Sequence, residues 1–323
     1  KTKDEAFKFF EDGLAKFPGD ALLTFYYLQR ISQERANLDR GIALAREMAQ
    51  YASLNDTVQL LGARLQAVKG DMDSAEAAYG QDYVDGRLSS AVNALMNYAQ
   101  FWAGQKKNME SAVKAMDLAM NLQPNNFYAP NSAARFYLEA GLPEKADEVY
   151  GSAYVEKYKD DAQALAYYAA FWADQKKHPE SLGAAEAAVK LKPDDPNILE
   201  TAARAFIGWD KKDRALAVFG PSTVPKIGDD AMLLNNYAWF WAQQGTNLES
   251  ALAAVKRSIA LDDRDWSEDT LAVVLLGLGR LDEALAAVNK AMAISTTPSR
   301  YKGTEKKIKD AIEKKKQGKS PSV

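Results

Sequence analysis

The 323-residue chain contains no cysteine and one histidine, His178. Without cysteine there is no disulfide, thiolate nucleophile, zinc–thiolate site or iron–sulfur cluster. With a single histidine, serine–histidine and cysteine–histidine mechanisms lack their parts. No apolar run approaches the roughly 20 residues that a membrane-spanning helix needs, and the opening Lys1-Thr2-Lys3-Asp4 begins no secretory apolar region. An excess of charge is missing too. The 41 Lys and Arg against 44 Asp and Glu leave −3, so no nucleic-acid partner is expected. Phosphate-cradling glycine loops and EF-hand spacing are absent. Paired carboxylates such as Asp229-Asp230, or Asp71 with Asp73, stand at helix starts, where capping explains them. The expectation is a non-catalytic chain with no cofactor and no metal. The lack of cysteine points towards export from a bacterial cytoplasm and leaves a cytoplasmic place open. The missing initiator methionine suggests that an upstream segment was removed.

What the sequence does have is repetition. YAWFWAQQGTNLESA, from Tyr237 to Ala251, has two relatives: YAQFWAGQKKNMESA from Tyr98 and YAAFWADQKKHPESL from Tyr168. Their starts lie 70 and 69 residues apart. A finer register runs through small residues at Ala6, Gly41, Ala75, Ala112, Ala146, Ser181, Ala215, Ala251 and Ala284, about 35 residues apart. The first helix of each unit (A) carries apolar residues at helical spacing, as Tyr237, Ala238 and Trp241 do. The small residue then lets the second helix (B) cross closely in an antiparallel pair. Such a pair cannot bury its faces alone, so neighbours must stack.

One unit shows the pattern in full: Ala134, Tyr137, Gly141, Ala146, Tyr150 and Ala153. Others repeat it as Ala203, Phe206, Ala215 and Phe219, as Ala272, Leu275, Gly279, Ala284, Val288 and Ala291, and as Ala99, Trp102, Ala112, Met116, Ala119 and Pro124. The chain thereby resembles the tetratricopeptide repeat family. The resemblance implies an all-α, right-handed α-α superhelix of antiparallel helix pairs over 1–295. It would hold a half repeat at 3–19 and eight repeats at about 21–54, 55–90, 91–125, 126–161, 162–195, 196–230, 231–264 and 265–297. A basic capping helix and tail would occupy 298–323, with Gly318 to Val323 disordered.

Two kinds of repeat alternate. One has the FWA block and a longer turn between its helices, with Asn37, Asn108, His178 and Asn247 in equivalent places. Helix capping or solvation is expected of His178. The other has a short turn and an aromatic–glycine pair in helix B: Tyr79-Gly80, Tyr150-Gly151 and Phe219-Gly220. An early helix end is expected at Gly220, because Pro221 comes next.

The inner, A-helix surface is where the family resemblance implies binding of a protein or extended peptide. The register puts Arg64, Arg135 and Arg204 there, about 20 Å apart, the reach of about six extended residues. That ladder suits an acidic segment, unless groove acids such as Glu139 or Glu200 pair with the arginines. Trp239 and Trp266 are candidate ligand contacts, with Glu200 and Asp269 making that end more acidic. Trp102, Trp172 and Trp241 are expected in the core. The family's clamp for terminal carboxylates needs a lysine, where this chain has Phe25, Leu60, Met96, Asn131, Ala166, Glu200, Asn235 and Asp269. The expected function is a non-catalytic scaffold for proteins or peptides. The alternative is a substrate-recruiting arm of a larger enzyme with its catalytic domain upstream.

Overall fold

Aspartate writes many of the helix starts. Asp20, Asp71 and Asp230 each accept the backbone N–H three residues ahead, at 2.8, 3.1 and 2.9 Å. Asp161 and Asp195 accept two N–H groups apiece. Each carboxylate satisfies donors that the first turn leaves unpaired and meets the positive end of the helix dipole.

The computed structural model describes residues 3–48, 55–80 and 92–317. No strand occurs among them. The segment from Gly318 to Val323, expected to be disordered, lies outside them. The chain divides into two units, Lys1–Tyr154 and Val155–Val323. In the first, α1 (Lys3–Lys16) precedes four hairpins. These are α2 (Ala21–Glu34) with α3 (Leu38–Met48), α4 (Asn55–Lys69) with α5 (Met72–Tyr79), α6 (Val92–Gln105) with α7 (Met109–Leu122), and α8 (Ala129–Glu139) with α9 (Pro143–Tyr150). A short helix, α10 (Ser152–Lys157), comes after them. The second unit pairs α11 (Ala162–Asp174) with α12 (Ser181–Leu191) and α13 (Pro196–Gly208) with α14 (Lys212–Phe219). A single-turn α15 (Val224–Ile227) leads to α16 (Ala231–Gln244) with α17 (Leu248–Leu261). The pair α18 (Asp265–Gly277) and α19 (Leu281–Ile294) and the lysine-rich α20 (Lys302–Lys316) complete it.

The small-residue register is the packing register. Ala99, Ala134, Ala169, Ala203, Ala238 and Ala272 on A helices are fully buried, as are Ala112, Ala146, Ser181, Ala215, Ala251 and Ala284 on B helices. At Gly41 a β-carbon would stand 2.6 Å from a terminal methyl of Leu65, so this crossing admits a methyl group only if Leu65 shifts.

The aromatic–glycine pairs end their helices. Helices α5, α9 and α14 stop at Tyr79, Tyr150 and Phe219. A β-carbon on the adjoining glycine would collide with a backbone carbonyl oxygen four residues back, at 2.3, 2.2 and 2.1 Å for Gly80, Gly151 and Gly220. Stopping there strands the last carbonyls of the helix in a buried place. The next tryptophan resolves this. Trp102 Nε1 donates to the Tyr79 carbonyl, and Trp241 Nε1 to that of Phe219, both at 2.8 Å. The core indoles are therefore hydrogen-bond donors as well as filler.

The longer turns need left-handed backbone. Arg35 and Asn37, Lys106 and Asn108, Lys176 and His178, and Gly245 and Asn247 all have positive φ, between 48° and 61°. This corrects the capping role expected of His178. Its slot is conformational: Asn108 and Asn247 make no side-chain cap, and α12 starts beyond His178, after Glu180. Asparagine adopts this conformation more readily than most residues, and histidine shares the tendency. Asn247 instead donates sideways to Tyr237 Oη at 2.7 Å, while the His178 ring lies 4.2 Å from that of Trp172.

Charge ties successive B helices. Asp117 on α7 holds Lys145 on α9 at 2.8 Å and accepts from Tyr137 Oη at 2.5 Å. Glu186 on α12 holds Arg214 on α14 in the same way, with the Arg214 guanidinium 5.6 Å from the Phe206 ring centre. Each pair ties successive B helices across the aromatic of the A helix between them. These pairs are part-exposed and fix register more than stability.

Trp241→Phe should lose the donor to the buried Phe219 carbonyl as well as ring volume. A destabilisation of about 2–4 kcal/mol in urea unfolding is expected, exceeding the loss from Phe240→Leu beside it. Gly220→Ala should cost about 1–3 kcal/mol by the same assay, because backbone must move to admit the methyl group.

Candidate functional site

Along the A helices of the second unit, the residues left outside the core form a stripe. It holds Tyr167 and Asp174 on α11, Glu200 and Arg204 on α13, and Met232, Trp239 and Gln243 on α16. Between α13 and α16 the stripe sinks into a cleft of about 220 Å³, lined by Asp174, Arg204, Ile207, Gly208, Trp239, Phe240, Gln243 and Gln244. Gly208 lets helices approach here, since its β-carbon would lie 2.7 Å from that of Ala173. Trp239 forms one wall and remains 38% exposed, where Trp102, Trp172 and Trp241 are wholly buried.

Arg204 pairs with Glu200, one turn earlier on the same helix, at 2.5 Å. Its guanidinium also lies 5.8 Å from the Phe240 ring centre. The Glu200 side chain is only 14% exposed, so this carboxylate is largely committed to the arginine. At the rim, Lys176 donates to the Gly208 carbonyl and lies 3.5 Å from Asp210. Of the expected site residues, the structure thus brings together Arg204, Glu200 and Trp239. Arg64 on α4 and Arg135 on α8 are exposed and belong to the first unit. A cleft of about 240 Å³ in that unit is lined by Asp56, Thr57, Tyr79, Asn93, Ala94 and Asn97, without Arg64.

Asp269 and Trp266 lie apart from the Trp239 cleft. Asp269 faces the C-terminal segment, where Thr304 hydrogen-bonds to it and Arg300 and Lys307 are its cationic neighbours. It is a part-buried carboxylate facing the segment that follows α19, which the repeat register does not describe. Trp266 is half-buried in the first turn of α18. Burial pushes Asp269 above the ordinary aspartate range, against the pull of Thr304, Arg300 and Lys307. Asp265, one turn earlier, is held below that range, chiefly by a hydrogen bond from Ser295 and further by Tyr301, Trp266 N–H and Arg300. Sequence reading missed Asp174 and the two glutamines. Their signal was present: Trp239 stands where the sister blocks have Gln100 and Ala170, which marks this part of the A-helix surface as unlike the others.

Among the described residues, no group of three or more His, Asp or Glu side chains is arranged to share a metal ion. No described helix is long and apolar enough to cross a membrane.

An all-helical chain of stacked hairpins in a 35-residue register is a helical repeat protein. Residues 132–196 match the sequence model of the tetratricopeptide repeat. The same 35-residue register continues on either side of that segment. No curated protein matches its sequence. Among solved structures it is similar to a tetratricopeptide repeat protein from Parabacteroides merdae, at 15% identity, with 78% of this chain and 97% of the other covered and a TM-score of 0.43. Similarity also extends to the APC/C hetero-tetramer Cut9–Hcn1 (13% identity, 92% and 58% covered, TM-score 0.40). A third is a tetratricopeptide repeat protein from Thermus thermophilus (18% identity, 66% and 98% covered, TM-score 0.35).

The two aspartates of α18 should oppose each other in a pH series. Asp265 binds its proton more weakly in the folded state, so it stabilises above the ordinary value of 3.8 and loses that effect as pH falls. Asp269 binds its proton more tightly when folded, so it penalises the neutral-pH structure and the penalty fades on acidification. Asp265→Asn is expected to lower Tm at pH 7 and Asp269→Asn to raise it. Both differences should shrink towards pH 3 in thermal melts tracked by circular dichroism.

Proposed function

We propose that the chain is a non-catalytic scaffold that holds a protein or peptide segment on its A-helix surface, with Trp239 as principal contact in the second unit and the paired Arg204 beside it. The observation that carries this reading is Trp239 itself. A large aromatic that could have packed inward is left 38% exposed on the wall of a cleft, in a block whose other tryptophans are buried. Aromatic and arginine side chains beside a recess are the usual anchors of protein recognition. The family assignment points the same way at the level of class, since repeats of this kind present extended surfaces to partners. Arg64 and Arg135, exposed on the first unit, would serve as secondary contacts. The repeat array of about 1–295 would be the binding body and 298–323 its end cap.

The test is affinity capture from a lysate of the source organism with the natural chain and with a Trp239→Ala variant of unchanged melting behaviour. Any partner recovered should fall at least tenfold with the variant. Equal recovery would remove this cleft from the function.

A further inference from the structure

We infer that the cleft beside Trp239 receives a basic side chain, lysine or arginine, carried by the bound segment. This rests on the scaffold reading and narrows it to a charge that the sequence alone had assigned the other way. The expectation of an acidic ligand rested on three arginines, of which only Arg204 lines this cleft. In the structure that guanidinium, though half exposed, has its charge paired with Glu200 at 2.5 Å and lies over Phe240. Lys176 at the rim is balanced by Asp210 at 3.5 Å. What a ligand meets is different. Asp174 is exposed at the cleft, Gln243 and Gln244 offer amide oxygens, and Trp239 offers its ring.

Glu200, Arg204 and Asp174 together carry one net negative charge, so a cation entering the cleft gains charge balance and an anion loses it. The indole adds a specific preference. Its ring face attracts a cation held within about 6 Å, and tryptophan does so better than other aromatics. A carboxylate ligand would face Asp174 with the nearby arginine already engaged, and a purely apolar one would leave Asp174 beside it without a partner. The feature is local: the equivalent positions in the sister blocks are Gln100 and Ala170, which supply no aromatic face.

The probe is a random linear peptide library displayed on phage and selected against the full chain. Selected peptides would then be measured by fluorescence anisotropy against the natural chain, Trp239→Ala, Asp174→Lys and, as a control, Gln100→Ala. The expected result is a shared lysine or arginine whose replacement by glutamine weakens binding at least tenfold. Trp239→Ala and Asp174→Lys should cause losses of similar size, and Gln100→Ala none. Acidic or purely apolar peptides that still lose binding with Trp239→Ala would overturn the basic ligand and leave the scaffold reading standing. Basic peptides bound equally by all variants would overturn the site. A selection that enriches nothing would count against both.

Discussion

The structure depends on how a helix can end inside a packed core. Terminal carbonyls of a helix need partners, and water is not available where Tyr79 and Phe219 are buried. The chain ends the helix abruptly with a glycine, because any side chain there would strike the carbonyl four residues back. It then supplies the missing donor from the next repeat, as the indole N–H of Trp102 or Trp241. Neither half works alone. A helix that continued past the glycine would engage its own carbonyls, and an indole without such a carbonyl would be a buried unsatisfied donor.

That constraint explains why the repeats alternate. A repeat that ends helix B with an aromatic and glycine must be succeeded by one that begins with the tryptophan block. The tryptophan repeat is then free to use a longer, left-handed turn. Ion pairs tie successive B helices in both kinds, as Asp117 does with Lys145, Glu186 with Arg214, and Glu11 on α1 with Arg40 on α3. Burial energy comes from the same small and aromatic positions throughout.

Much of the fold was legible because its determinants are local and repeated. The small residues at Ala134, Ala146 and their equivalents fix the helix crossings, and the early end at Gly220 could be read from Pro221. The equivalence of Asn37, Asn108, His178 and Asn247 was visible, but its meaning was not. Asparagine suits both a cap and a left-handed turn, and only backbone angles tell them apart. The site was legible by face and not by neighbour. Arg204, Glu200 and Trp239 could be assigned to the A-helix surface from the register, yet the pairing of Arg204 with Glu200 and the part-burial of Asp269 beside the C-terminal segment depend on three-dimensional packing. A repeat register carries no information about the segment that packs on the last repeat.

The indole-to-carbonyl bond also sets the grain size at which this chain can be edited. Removing one repeat of about 35 residues would place a tryptophan block after a helix without the glycine end, or leave an aromatic–glycine end facing a repeat without the indole. Removing about 70 keeps both halves of the bond matched. The same rule applies while the chain folds, when near-identical helices can mispair. A misregistered stack satisfies the indole only if it slips by an even number of repeats, so half of the possible slips are marked as wrong by a single buried hydrogen bond.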